Sequence, residues 1–145
     1  MLSNNLKVFA EQNLQIIWQT GKPNAESYQL AAQNFSNVYV ASFIDDMSAA
    51  YMASDLVVSR SGAMAVAEIS LTSKACIFVP YPFAAEDHQT HNAQILVNDG
   101  AALMIKDNEV DQQLIPLILD VIHNEEKMQL MQKKIHSFAK LDADT

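Results

Sequence analysis

The chain has 145 residues, half of them hydrophobic, which is enough for one domain with a full core and too few for two. Its 17 acidic and 9 basic residues give a net charge of −8, which argues against nucleic acid as a partner and against electrostatic docking on anionic lipid. No run reaches the roughly 18 apolar residues of a membrane span. The start, MLSNNLKVFAEQ, lacks the basic end and apolar centre of a secretory signal, so the chain reads as intracellular.

Helical spacing of Leu2, Leu6, Phe9 and Ala10 opens the chain. A strand is expected at Leu14–Trp18, then the turn Thr20-Gly21-Lys22-Pro23 and a helix over about Asn24–Gln33. The next strand spans Val38–Ser42, and Asp45 or Asp46 caps a short helix through Tyr51. A general acid/base role for Asp45-Asp46 is disfavoured, because adjacent side chains diverge where a helix starts. Asp55–Ser59 reads as a strand that breaks at Ser61-Gly62 and re-enters as a helix. Ala75–Val79 is the following strand, holding Cys76, the single cysteine, as a packed core residue with no disulfide open to it. A loop at Tyr81 leads to a helix over about His88–Val97, closed by Asp99-Gly100. A last strand, Ala101–Ile105, precedes helices at about Val110–His123 and Glu125–Ala139, the first interrupted in pattern by Pro116, since an interior proline costs about 3 kcal/mol.

Five strands alternating with helices imply an α/β fold: a doubly wound parallel sheet with right-handed crossovers, as one domain over residues 1–145. Ligands of such sheets bind at the carboxyl ends of the strands, which directs attention to Phe43–Met47, Arg60–Met64 and Tyr81–Thr90. Gly62 permits close backbone approach, and the helix after it presents the unpaired amides of Ala63, Met64 and Ala65 to an anion such as phosphate. Glu68, about one and a half turns on, repels a phosphate but accepts well from a sugar diol beside it. Arg60 is the local basic group that could meet an anionic ligand. Two other chemistries touch the same residues. Ser59-Arg60-Ser61-Gly62-Ala63 loosely fits a nucleophile elbow, yet no glycine flanks Ser61 where that turn needs one. His88 and His91, near Glu86 and Asp87, are a weak metal pair without a firm third ligand.

Phe43-Ile44-Asp45-Asp46-Met47, Ser59-Arg60-Ser61-Gly62-Ala63 with Glu68, Phe78-Val79-Pro80, Glu86-Asp87-His88-Gln89-Thr90 and Asn92-Ala93 occur in order along nearly the whole chain. Together they resemble the carboxyl-terminal, donor-binding half of the MurG family, the bacterial UDP-N-acetylglucosamine transferases that convert lipid I to lipid II in peptidoglycan synthesis. The resemblance implies a Rossmann-like half of a GT-B glycosyltransferase that is metal-independent, inverting and without a cofactor. It implies that the Ile44 main chain recognises uracil, Glu68 accepts the ribose hydroxyls, and the amides around Ala63, Met64 and Ala65 hold the diphosphate, with Met64 against the nucleoside. Ser61 and Gly62 form the turn, His88 and Gln89 read the N-acetylglucosamine hydroxyls, and Arg60 and Asn92 support the loops. Many relatives carry a hydroxyl at position 65 and some a glutamine at position 88; Ala65 leaves its phosphate contact to the backbone.

The family's glycine-rich Gly-Gly-Ser loop, its acceptor domain and its proposed catalytic histidine find no counterpart in these residues. The expectation is a fragment cut at both ends, which binds donor without transferring sugar by itself, while lipid I meets the other domain on the cytoplasmic face of the membrane. Loss of the family's central strand predicts that Leu14–Trp18 and Asp55–Ser59 pair directly, or that a second copy fills the gap by self-association. The rival functions are the stand-alone catalytic subunit of a two-part N-acetylglucosaminyltransferase and a nucleotide-binding module without catalysis.

Overall fold

The computed structural model describes residues 2–83 and 87–143, with side chains to residue 139. Two compact units divide the chain, Met1–Ala50 and Tyr51–Thr145.

In the first unit a 3-10 turn at Leu2–Asn4 leads into α1 (Leu6–Glu11), which buries Leu6 and Phe9 as the helical spacing requires. Asn13 adopts a left-handed φ of 58°, and the Leu14 N–H turns back to the Phe9 carbonyl at 2.9 Å. The chain is therefore still closing its helix at Leu14, and β1 (Ile16–Gln19) begins two residues later than expected. Asn37 fixes the strand's start: its Nδ2 donates to the Leu14 carbonyl at 2.9 Å and its own carbonyl accepts the Ile16 N–H at 2.8 Å. After α2 (Ala25–Ala32), β2 (Val38–Ala41) runs parallel to β1 with Val38 opposite Ile16. Asp46 proves to be the cap of α3 (Met47–Ala53), its Oδ1 accepting the Ala49 N–H at 3.0 Å.

The second unit holds β3 (Leu56–Ser59), β4 (Ala75–Phe78) and β5 (Leu103–Met104) as a parallel sheet in that order. All four residues of β4 are buried, as an apolar run in the middle of a parallel sheet must be. Around it lie α4 (Ala63–Leu71), α5 (His88–Asn98), α6 (Val110–Ile122) and α7 (Glu125–Ala143), with α7 against both β4 and α4. Ile69, Ile77, Phe78, Leu96, Val121 and Ile135 form the centre of this core. Pro116 lies inside α6 without ending it. Leu114 and Val121 bury on one face of that helix, and α6 packs on α7, so tertiary packing outweighs the lost main-chain bond.

The strands register in two sheets, β1-β2 and β3-β4-β5, rather than one. Of the two strands expected to meet, Leu14–Trp18 and Asp55–Ser59, one stands in the first sheet and the other in the second. Each strand pairs with its successor across a single crossover helix, α2 in one case and α4 in the other, which is the shortest closure open to it.

The end of α5 carries a conformation that only glycine adopts without cost. Gly100 has φ 73°, and the N–H groups of Gly100 and Ala101 return to Val97 and Leu96 at 3.0 and 2.9 Å. A Cβ there would stand 2.9 Å from Lys134 Nζ, a flexible end that can move. The backbone cost cannot be relieved in that way, so Gly100→Ala should lose about 1–2 kcal/mol. Urea unfolding should show it as a lower midpoint at unchanged slope.

Candidate functional site

The turn from β3 into α4 is built by Ser61 and Gly62. Ser61 is fully buried, and every polar group it owns is used. Its N–H donates to Gln89 Oε1 at 3.2 Å, its Oγ donates to the Gln89 main-chain carbonyl at 2.7 Å, and its own carbonyl accepts from Asn92 Nδ2 at 3.0 Å. A serine so placed is not presented to a substrate, which removes the nucleophile-elbow alternative.

Gly62 is the N-cap of α4, and among the described residues no side chain caps the amides that follow it. The first intrahelical bond runs from the Val66 N–H to the Gly62 carbonyl at 3.0 Å, so the amides of Ala63, Met64 and Ala65 precede the ladder. Ala63 and Met64 are exposed and Ala65 half-buried, which leaves this end of the helix dipole open to a ligand. Glu68 is half-buried on the same helix. Burial, then the Glu68 carboxylate, then Cys76 hold the Tyr51 phenol above its ordinary pKa, which puts Glu68 within electrostatic reach of a buried tyrosine. Burial alone pushes the Cys76 thiol well up and leaves it an inert core residue.

Arg60 does not extend toward the α4 amides. Its guanidinium meets Asp107 Oδ1 at 2.6 Å, donates to the Val79 carbonyl at 3.3 Å and lies 5.6 Å from the centre of the Tyr81 ring. The pair is half-exposed and adds little stability, but it joins the loops after β3, β4 and β5. With that charge matched by Asp107, an anion at this turn would depend chiefly on main-chain amides.

Gln89 is the side chain that draws these loops together. Besides the Ser61 N–H, its Oε1 accepts the Tyr81 N–H at 2.8 Å. His88 is exposed at the first position of α5, after Asp87 in a left-handed conformation, φ 59°. Glu86 of the same motif lies outside the described residues. Among the described residues His88 and His91 gather no third His, Cys, Asp or Glu as a metal site would need. In the first unit, the Ile44 N–H donates to Gln19 Oε1 at 2.8 Å, while Phe43 beside it is exposed.

The sequence pattern marks Tyr81 only as part of a ligand-facing loop and gives no direct sign of Gln19 or Asp107. Gln19 closes β1 and Asp107 follows β5, so the carboxyl-end rule, applied to all five strands, reaches both.

The sequence matches the glycosyltransferase family 28 C-terminal domain over residues 1–145. It is 44% identical over 134 residues to the UDP-N-acetylglucosamine–N-acetylmuramyl-(pentapeptide) pyrophosphoryl-undecaprenol N-acetylglucosamine transferase of Bacteroides fragilis, covering 90% of this chain and 35% of that one. With the enzyme of the same name from Cytophaga hutchinsonii it shares 39% over 142 residues, 98% of this chain and 38% of the relative. The chain therefore spans well under half the length of the curated relatives it matches. Among solved structures, Acinetobacter baumannii MurG superposes with a TM-score of 0.77 at 30% identity, over 94% of this chain and 41% of that one. A glycosyltransferase of kitacinnamycin shares the fold at 14% identity, with a TM-score of 0.58.

Proposed function

Because the chain belongs to the glycosyltransferase family 28 C-terminal domain family, we propose that it is the donor-binding part of an inverting UDP-N-acetylglucosamine transferase. The parent reaction is transfer of the sugar from UDP to lipid I, which forms lipid II in peptidoglycan synthesis. The observation that carries this reading is the uncapped start of α4 with a half-buried carboxylate further along the same helix.

The amides of Ala63, Met64 and Ala65 hold the diphosphate, and Met64 lies against the nucleoside. Glu68 accepts the ribose hydroxyls. When the glycosidic bond breaks, negative charge grows on the departing UDP, and the same amides and dipole stabilise it as it forms. On the base, the Ile44 main chain recognises the uracil edge. Its N–H is donated to Gln19 in this structure, so that side chain must give way before the N–H can reach a uracil carbonyl. His88 and the amide nitrogen of Gln89 face the sugar, while Arg60, Asn92 and the Ser61-Gly62 turn hold the loops. The acceptor hydroxyl and the base that deprotonates it belong to the remainder of such an enzyme, which works on its lipid at the cytoplasmic face of the membrane. Among the described residues no helix is long and apolar enough to cross that membrane.

Nucleotide choice tests the assignment. Recognition by the Ile44 main chain in a tight loop suits a pyrimidine edge, so calorimetric titration should show UDP and UDP-N-acetylglucosamine bound in preference to ADP and GDP. Equal or tighter binding of ADP would overturn it.

A further inference from the structure

Gln89 accepts two main-chain N–H groups through one oxygen, and they come from different loops: Ser61 after β3 and Tyr81 after β4. A carbonyl oxygen has two lone pairs, so this one is saturated. The amide orientation is set by the same chemistry, since a flip would oppose an NH2 group to two N–H donors. The side chain is thereby locked with Nε2 over Gly62, 3.7 Å from where a Cβ would stand. The Gln89 main chain adds the bond from Ser61 Oγ, and Asn92, nearly one turn on, holds the Ser61 carbonyl. Every polar group of Ser61 is thus tied to α5.

We propose that Gln89 is a positioning residue for the phosphate cradle: by clamping the Ser61 and Tyr81 amides it sets the direction in which the first amides of α4 point. This rests on the donor-binding reading above and changes what is expected of Gln89. A residue that only reads the sugar is indifferent to ligands without one. A clamp on the phosphate turn acts on UDP and UDP-N-acetylglucosamine alike, and leaves uridine, which has no phosphate, untouched.

Two variants separate these roles in the full chain. Gln89→Met matches the side chain's length and removes the acceptor, whereas Gln89→Glu keeps an acceptor for both amides. Losing one acceptor shared by two amides is worth about a factor of ten. Hydrogen exchange should show the Ser61 and Tyr81 amides opening about tenfold faster in Gln89→Met, with the β4 amides unchanged, and both still slow in Gln89→Glu. In Gln89→Met, UDP should weaken about tenfold and UDP-N-acetylglucosamine, which also loses the amide nitrogen on its sugar, at least as much, with uridine bound as before. Unchanged UDP with weakened UDP-N-acetylglucosamine would make Gln89 a sugar reader alone and overturn the proposal. An equal loss of uridine would overturn it in favour of a general loosening of the fold, and unaltered exchange at Ser61 and Tyr81 would show that no clamp exists. A wild-type chain that binds no UDP would overturn the functional reading and with it the role toward phosphate, a result separable from the exchange measurement, which reports the clamp itself.

Discussion

Glu68→Ala should weaken UDP binding by roughly 10- to 100-fold while thermal unfolding barely moves. The affinity figure follows from hydrogen bonds to a charged acceptor, worth about 1.5–3 kcal/mol. The stability figure follows from the surroundings of the residue. Glu68 is half-buried in α4, and among the described residues it takes part in no ion pair whose loss would leave a buried charge behind. Alanine is also the better helix former. The same substitution should weaken 2′,3′-dideoxy-UDP far less, because that ligand has no diol to offer, and equal losses for both ligands would show the ribose assignment to be wrong. A ligand-free control is available at Tyr51. The Glu68 carboxylate is the second cause, after burial, of that phenol's raised pKa. Its removal should move the tyrosine part of the way back toward its ordinary value in an ultraviolet titration. That shift would verify the proximity of the two groups whether or not nucleotide binds.

What the sequence made legible was local, and what it hid was tertiary. The apolar run at Ala75–Phe78 could only be a strand covered on both faces, and it is. Ser61-Gly62 announced a break between strand and helix for the same reason: two small residues between an apolar run and a helical pattern. β1 starts later than the apolar pattern suggests because Leu14 looks like strand by hydrophobicity, while Asn13 in a left-handed conformation keeps it in the exit of α1. The last strand shrank from Ala101–Ile105 to Leu103–Met104 because Ala101 is held back by its bond to Leu96 at the end of α5. Pro116 carried a warning about propensity that packing overrode. At the site, the residue types pointed to a phosphate turn and a diol acceptor, but the hydrogen bonds that assemble it could not be read. Arg60 with Asp107, Gln89 with Tyr81, and Gln19 with Ile44 all join segments that meet only once the chain is folded.

Gly62→Ala should leave the fold as stable as before and cost UDP roughly 10- to 100-fold in affinity, so that structure and function separate at one atom. Gly62 has φ −63° and ψ 155°, an extended conformation open to any residue, so the backbone does not demand glycine. Packing does not demand it either: among the described residues a Cβ would meet only Gln89 Nε2 at 3.7 Å, an ordinary contact. Two small terms then oppose each other in stability. Alanine restricts the unfolded chain and gains about 0.4–1 kcal/mol, while the helix loses a preferred N-cap residue at a cost of a few tenths to about 1. The midpoint of thermal unfolding should therefore stay within about 4 °C of the parent. Binding has no such compensation. A methyl group at the mouth of the Ala63, Met64 and Ala65 amides keeps a phosphate oxygen from closing on at least one of them, a charge-assisted bond worth about 1.5–3 kcal/mol. Uridine, which never enters the cradle, should bind both proteins equally. If UDP binds Gly62→Ala as tightly as the parent while the fold is intact, the phosphates do not sit at the start of α4.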